Sequence, residues 1–296
     1  MGRARGGDGT MTMDVLGDLL LHCAGRPVAR YRTYPDLPVR LSPRPYLHPV
    51  HTLAGTPVTE ERPADHIHHL GAGVAIPDVE GHNFWGGSTY LPGRGPTELD
   101  NHGVQRHTGF PLRDEDGFVE ELEWVADDAL LLRERRTVSV AQLSPSAWVL
   151  DFTFSLLNAT EGPLTFGSPQ TNGRSGAAYG GFFWRAPKEA IAPRVFTAEA
   201  EGETAVHGAR ADWVAITGST WSLVFAGATP ATRRDPWFVR TAGYPGVGSS
   251  LAFDGRLPLG EGEALVRRIV TVIADGRLDR ESAAALVREA EEAVGR

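Results

Sequence analysis

The sequence predicts an all-β protein: a large antiparallel β-sandwich with one C-terminal helix. Three observations predict it. Short runs of β-branched and aromatic residues with period-two alternation recur along most of the chain. Turn signals such as Asp116-Gly117, Glu161-Gly162-Pro163 and Asp254-Gly255 separate them. Only residues 277–296 carry an apolar stripe at helical spacing.

Taken in order, residues 1–12 are rich in Gly and Arg and are expected to form a disordered tail. The segment 13–21 reads equally well as a strand or a short helix. Strands are expected at 28–34, 74–76, 118–125, 130–140, 148–158, 164–166, 194–197, 212–216, 221–226, 250–253 and 264–273. Alternation over 130–140 gives a strand with one polar face, and Phe152, Phe154 and Leu156 fall on one side of the next. Asp279 is placed to cap the final helix, whose buried stripe is Ala283, Leu286, Val287, Ala290 and Val294. The expected division is a tail over 1–12, a β-sandwich over 13–276 and a helix over 277–296 packed on it. Proline-rich loops at 34–49 and 90–96 flank the histidine-rich part and are expected to fold over it.

Composition excludes several classes. A formal charge of −8 argues against a nucleic-acid partner, whose phosphates need a basic face. No stretch approaches the ~20 apolar residues of a membrane span. The lone Cys23 excludes an intramolecular disulfide, reads as a buried structural thiol and fits a cytoplasmic setting. Lys188 is the only lysine, so Schiff-base chemistry is disfavoured. Neither a nucleotide-binding glycine motif nor a Gly-x-Ser-x-Gly elbow is present. An oligomer is compatible with the sequence, which does not fix its state.

The functional signal is histidine. Eight of the ten histidines lie between His48 and His107. If Asp65–Gly71 is extended, His66 and His68 share one face and His69 points away. His66, His68 and His82 then form a candidate site for one divalent metal such as zinc, manganese or iron, with His69, His102 or His107 as alternative third ligands. Asp65 would ligate or orient an imidazole. The competing reading is a metal-free site in which His66 and His69 act as acid and base, joined by Glu134 across the cleft. Glu134 reads equally as part of an ion-paired strand face. Asn83, Trp85, Tyr179 and Arg185 come from two aromatic-glycine blocks whose rings and polar groups suit a sugar. Arg44 and His48, in a proline-stiffened loop, are candidate anion or hydroxyl clamps.

The blocks Arg44-Pro-Tyr-Leu-His-Pro-Val-His-Thr, Pro63-Ala-Asp-His-Ile-His-His-Leu-Gly, Asn83-Phe-Trp-Gly and Tyr179-Gly-Gly-Phe-Phe-Trp-Arg resemble, in order, those of the bacterial DUF6807 family, which carries the PmoA (methane oxygenase) label. The resemblance covers roughly residues 28–275. It implies a β-sandwich of the supersandwich, galactose-mutarotase-like kind. It also implies that His48, His66, His68, His69, His82 and Trp85 line one pocket, and that the protein keeps company with sugar oxidoreductases and sugar uptake. The expected function is a carbohydrate-active enzyme: a lyase, hydrolase or epimerase on a sugar or oxidised glycoside, its partner a small-molecule sugar. The alternatives are a non-catalytic sugar-binding module and a metal-dependent oxygenase.

Overall fold

A computed structural model describes residues 17–295. The expected tail over 1–12, and the start of the undecided segment after it, lie outside the described residues; the rest of that segment enters the strand Leu19–Cys23. The protein is an antiparallel β-sandwich of two large sheets. One is eight-stranded, in the order Arg194–Phe196, Trp213–Thr217, Trp221–Gly227, Ala264–Asp275, Ala147–Asn158, Ala129–Ser144, Gly117–Ala126 and Val104–Asp114. The other is ten-stranded. Its main path runs Leu19–Cys23, Arg26–Arg32, Tyr46–Val50, Ala72–Val79, Gly181–Arg185, Gly246–Ser250 and Trp237–Arg240. Leu164–Gly167 and His82–Phe84 pair with the far end of Ala72–Val79, and Leu257–Leu259 continues from Leu164–Gly167.

The two sheets bury one continuous core between them, joined by ring contacts such as Phe152 on Phe182 at 5.2 Å and Trp184 on Phe225 at 5.6 Å. The helix Arg280–Ala293 covers the outer face of the eight-stranded sheet. Its Ala283, Val287 and Ala290 meet Val149, Ala215, Val224 and Val272, and Asp279 caps it by accepting from the Ser282 N–H at 2.8 Å. Among the described residues, no helix is long and apolar enough to cross a membrane.

The expected strands fall mostly in the eight-stranded sheet. Val104–Asp114, which was not expected, is interrupted by two register shifts that break its alternation. In the ten-stranded sheet the expected strands 28–34, 74–76 and 164–166 fall within or across Arg26–Arg32, Ala72–Val79 and Leu164–Gly167, the second much shorter than the strand it lies in, and the rest of the sheet is not legible in the sequence. Ala72–Val79, Gly181–Arg185 and Gly246–Ser250 are buried at every position, so they carry no polar–apolar alternation. The expected strand at 250–253 is corrected to Gly246–Ser250: its glycines and serines look like a turn, but they sit in mid-sheet beside Phe182 and Phe183.

Alternation in Ala129–Ser144 turns Glu134 and Arg136 inward, where they form a polar knot inside the core. Arg136 donates from Nε to Glu134 Oε1 at 2.7 Å, and from Nη1 to the Tyr31 hydroxyl at 2.7 Å and the Pro45 carbonyl at 3.1 Å. Trp124 Nε1 donates to Glu134 Oε2 at 2.8 Å. Tyr31 also donates to Glu120, whose other oxygen lies 2.7 Å from His107 Nδ1. The knot therefore ties the sheets together across their interface. Glu134 is not a general acid/base across the cleft; its carboxylate is consumed here. Replacing Glu134 with Ala strands a buried guanidinium and is expected to lower the unfolding free energy by roughly 3–5 kcal/mol, measured by urea denaturation. A loss below about 1 kcal/mol would show that the pair does not hold the sheets.

Candidate functional site

The site lies on the outer face of the ten-stranded sheet. Residues alternate there between core and cleft. Val74, Ile76, Phe182, Trp184, Trp237 and Val239 point into the core. Ala75, Phe183 and Phe238 point the other way and join Trp85, with Tyr179 and Tyr244 packed on them, as a second apolar cluster. Trp85 is the hub of this cluster, with ring centroids 4.5 Å from Tyr179, 4.9 Å from Phe183 and 5.7 Å from His69. Gly246 and Gly248, on the neighbouring strand, leave room for the Phe183 ring.

Above this floor lies a cleft of about 260 Å³. Its wall includes His66, His68, His69, Trp85, Ser88, Arg174, Tyr179, Phe238, Arg240 and Tyr244. The histidines sit on a loop, not a strand. Two successive tight turns shape it: the His66 N–H donates to the Pro63 carbonyl and the His69 N–H to the His66 carbonyl, both at 2.9 Å. Pro63 and the short bridge between Glu61 and Leu70 fix its ends. His69 is consequently not on an opposite face: it stacks on His66 with ring centroids 4.6 Å apart and planes 22° apart, and meets His68 edge-on at 4.9 Å.

Two buried arginines hold the loop. Arg44 Nη1 donates to the carbonyls of Leu41, Ser42 and Trp85, and Nη2 donates to that of His68 at 3.0 Å. Arg185 donates from Nε and Nη2 to Glu60 at 3.0 and 2.8 Å, and Nη2 reaches Asp65 at 3.4 Å. Its Nη1 faces His69 Nδ1 at 3.4 Å, which makes that nitrogen the acceptor and leaves Nε2–H as the His69 donor. The Arg185 guanidinium also lies over the Tyr244 ring at 4.9 Å. Gly86 and Gly87, at φ +100° and +73°, let the backbone pass directly against His68; a Cβ on Gly87 would lie 2.9 Å from His68 Nδ1.

Burial, reinforced by the Arg44 charge and neighbouring imidazoles, pulls His68 down to about 3, and burial depresses His69 further. Both are neutral at physiological pH. Burial alone would raise Asp65, but Arg185 and His66 hold it below the usual carboxylate range. Asp65 Oδ2 lies 3.5 Å from His66 Nδ1.

The structure thus brings His66, His68, His69, Trp85 and Tyr179 together and sends the other candidates elsewhere. Arg44 and Arg185 brace the loop from behind rather than clamping a ligand. Asn83 spends its side chain on the turn that carries Trp85: Oδ1 accepts from the N–H groups of Trp85 and Gly86 at 2.8 Å, and Nδ2 donates to the Gly87 carbonyl at 3.2 Å. His48 lies outside the cleft wall, 3.0 Å from the Thr59 hydroxyl and 3.5 Å from Glu61. His82 is also outside, its Nδ1 3.8 Å from Asp127. His102 braces the Gly87 carbonyl at 2.7 Å, and His107 belongs to the core knot.

The expected metal set of His66, His68 and His82 therefore does not assemble. Imidazole lone pairs lie in the ring plane, and the near-parallel stack of His66 on His69 does not aim both at one point ~2.0–2.1 Å away. Among the described residues, no three His, Cys, Asp or Glu side chains form a metal-holding group. Sequence reasoning missed Ser88, Arg174, Phe238, Arg240 and Tyr244. The only local hint was the alternation Trp237-Phe238-Val239-Arg240; Arg174 and Tyr244 sit in turns whose glycines look like ordinary loops.

Fold and site together define an antiparallel β-sandwich protein with an imidazole-lined, aromatic-floored cleft on one sheet. Residues 18–288 match the family of unknown function DUF6807, and the chain belongs to that family. No curated protein matches it.

Two outcomes are expected. Gly87→Ala puts a side chain at a positive φ against His68, so ligand affinity should fall about tenfold for each ~1.4 kcal/mol of displacement, read by calorimetry beside an intact circular-dichroism spectrum; unaltered affinity would show that His68 need not hold its place. The second concerns pH. The folded values of His68 and His69 lie below the unfolded imidazole value of about 6.5, so the unfolded chain binds more protons as pH falls. Their stabilisation is complete above about pH 6.5 and is lost toward acid. His68→Gln should remove up to about 1.4 kcal/mol per pH unit of the slope between pH 6 and 5, measured by urea unfolding across pH. An unchanged slope would mean that His68 titrates alike in both states.

Proposed function

We propose that the protein is a carbohydrate-active enzyme, a lyase or epimerase that moves a proton next to a carbonyl of a sugar or oxidised glycoside. The observation that carries this reading is the cleft itself: three imidazoles, two of them held neutral, above an aromatic floor with, among the described residues, no carboxylate in its wall. Glycoside hydrolysis in its usual form needs a pair of carboxyl groups flanking the bond. The cleft offers imidazoles instead, which supports proton abstraction over hydrolysis.

In this reading His66 is the base, steered by Asp65. It takes the proton from the carbon beside the carbonyl, and the electron pair moves onto the carbonyl oxygen. A neutral imidazole N–H, from His68 or His69, donates to that developing oxyanion, a task for which an uncharged imidazole is well suited. Return of the proton to the other face gives an epimer; loss of a β-substituent with its electron pair gives an unsaturated product. The partly exposed Tyr179 and Tyr244, backed by the buried Trp85, supply the aromatic surface on which a sugar lies. The oxygenase reading attached to the PmoA label would need metal ligands that converge, which the stacked imidazoles do not supply. A cytoplasmic setting is the one we favour, in keeping with the single, buried Cys23.

Incubation with 3-keto-glycosides and related keto sugars in D2O, followed by NMR, tests the reading. Deuterium should enter at the carbon beside the carbonyl, and His66→Gln should slow this about 10²-fold or more. Trp85→Ala should weaken binding. Sugars that bind without exchange in the wild-type protein would instead mark a non-catalytic sugar-binding module.

A further inference from the structure

The cleft is asymmetric in charge in a way that the proton-transfer reading does not use. Two guanidinium groups, Arg174 and Arg240, stand in its wall and, among the described residues, no carboxylate does, in a chain whose formal charge is −8. The groups behind the wall nearly cancel. Arg185 is matched by Glu60 and Asp65, and the extra carboxylate there is offset by the buried Arg44, which pairs with no carboxylate among the described residues. Arg40 and Glu98 neutralise one another at the rim through two hydrogen bonds of 2.7 Å, and Glu98 also takes the Ser88 hydroxyl. Glu203 approaches Arg240 only at 3.9 Å and spends itself on the Thr241 N–H and hydroxyl. The uncompensated positive charge therefore belongs to the cleft.

The two arginines differ in role. Arg240 points outward from its strand, with its guanidinium over Phe238 at 4.6 Å, and donates to the carbonyls of Val239 and Gly176. The second of those bonds anchors the loop that carries Arg174. The loop is tied at several further points. Gln170 Nε2 donates to the Phe253 carbonyl at 2.7 Å, and its Oε1 accepts from the Gly176 N–H at 2.9 Å. Asn172 Nδ2 donates to Asp78 at 3.1 Å. Arg174 itself is solvent-exposed and makes no ion pair within 4 Å among the described residues. A tied-down loop thus presents, beside the Tyr179 hydroxyl, a guanidinium with no carboxylate partner among the described residues at the mouth of an aromatic-floored cleft, the pre-organised form of a carboxylate clamp.

We infer that the natural ligand is an acidic sugar, whose carboxylate is held by Arg174 while its ring lies against the tyrosines of the aromatic floor, Tyr179 and Tyr244. The inference rests on the carbohydrate reading above for the ring, and on the arginines alone for the charge. Arg174 is the specificity-determining contact. Arg240 is a positioning residue that holds its loop and adds to the local potential. A single carboxylate matches the one cleft guanidinium that has no carboxylate beside it among the described residues; a phosphate or sulfate ester shares the anionic chemistry and is separated from it by experiment.

The experiment is titration calorimetry of the full-length protein, its Arg174→Gln variant and its Arg174→Lys variant with D-glucuronate, D-gluconate, D-glucose, D-glucose 6-phosphate and benzoate. The sugar acids should bind the wild-type protein at least about tenfold more tightly than glucose, as expected for one charge-assisted pair. Arg174→Gln should erase that preference, bringing the acids level with glucose in the same variant, and Arg174→Lys should restore part of it. Added salt should weaken the binding of the anions and leave that of glucose unchanged. Equal affinity for glucose and the acids, a preference that survives Arg174→Gln, or tighter binding of the phosphate than of either acid would each overturn the inference. So would the absence of binding by every anion. If benzoate binds through Arg174 while no sugar does, the anion site stands and the carbohydrate reading falls. If glucose binds and the acids bind no better, the carbohydrate reading stands and the acidic ligand falls.

Discussion

The working face of this protein depends on one buried cation. Arg44, in the loop that leads into Tyr46–Val50, donates to backbone carbonyls from three separate stretches: Leu41 and Ser42, His68, and Trp85. No carboxylate among the described residues meets it. Burial pulls it down to about 9, still high enough to keep the charge at neutral pH. A desolvated guanidinium is costly unless its donors are satisfied, so the carbonyls must converge where they do. The histidine loop and the tryptophan turn are thereby locked to one another before any ligand arrives. Arg185 repeats the device one strand away with acidic partners, and the Asn83 side chain finishes the turn from the other side.

This division of labour explains why residues that look catalytic in the sequence turned out to be scaffolding. Arg44, Asn83, Arg185 and Glu134 are all polar and all nearly inaccessible, and the first three lie in blocks with an aromatic residue close by in the sequence. A polar side chain in a glycine–aromatic block signals that a backbone bend needs fixing as readily as it signals a ligand. Their donors and acceptors are filled by the protein, which local sequence does not show. Arg174 and Arg240 reach the cleft with little to announce them, because their importance comes from what lies beside them in space.

The fold was legible in proportion to the one-sidedness of its strands. Ala129–Ser144 and Ala147–Asn158 have one face in the core, and alternate accordingly over most of their length. Ala72–Val79 and Gly181–Arg185 are covered on one side by the opposing sheet and on the other by the cleft and its loops, so their sequences lose the alternation. The sheet that was hardest to read is thus the one that carries the candidate site. The histidine cluster is legible as a cluster but not in its geometry: an extended backbone would put His69 opposite its neighbours, whereas two turns bring all three rings together, His66 stacked on His69 and His68 edge-on to both. His82 is near in sequence and elsewhere in space, on a strand that turns it toward Asp127.

The alternation beneath the cleft also bears on how such a molecule can change. Phe183 and Phe238 face the ligand side while their neighbours Phe182, Trp184, Trp237 and Val239 fill the interior. Cleft floor and hydrophobic core are therefore interleaved in the same few strands. Adding or deleting one residue there would exchange the two sets, lifting Trp184 into the cleft and driving Phe183 into the core. Diversification by insertion is closed to the floor and open to the loops above it. Variants that differ in what they accept should therefore differ in the length of the segments bearing His66, Ser88, Arg174 and Tyr244, while the spacing within the strands stays fixed.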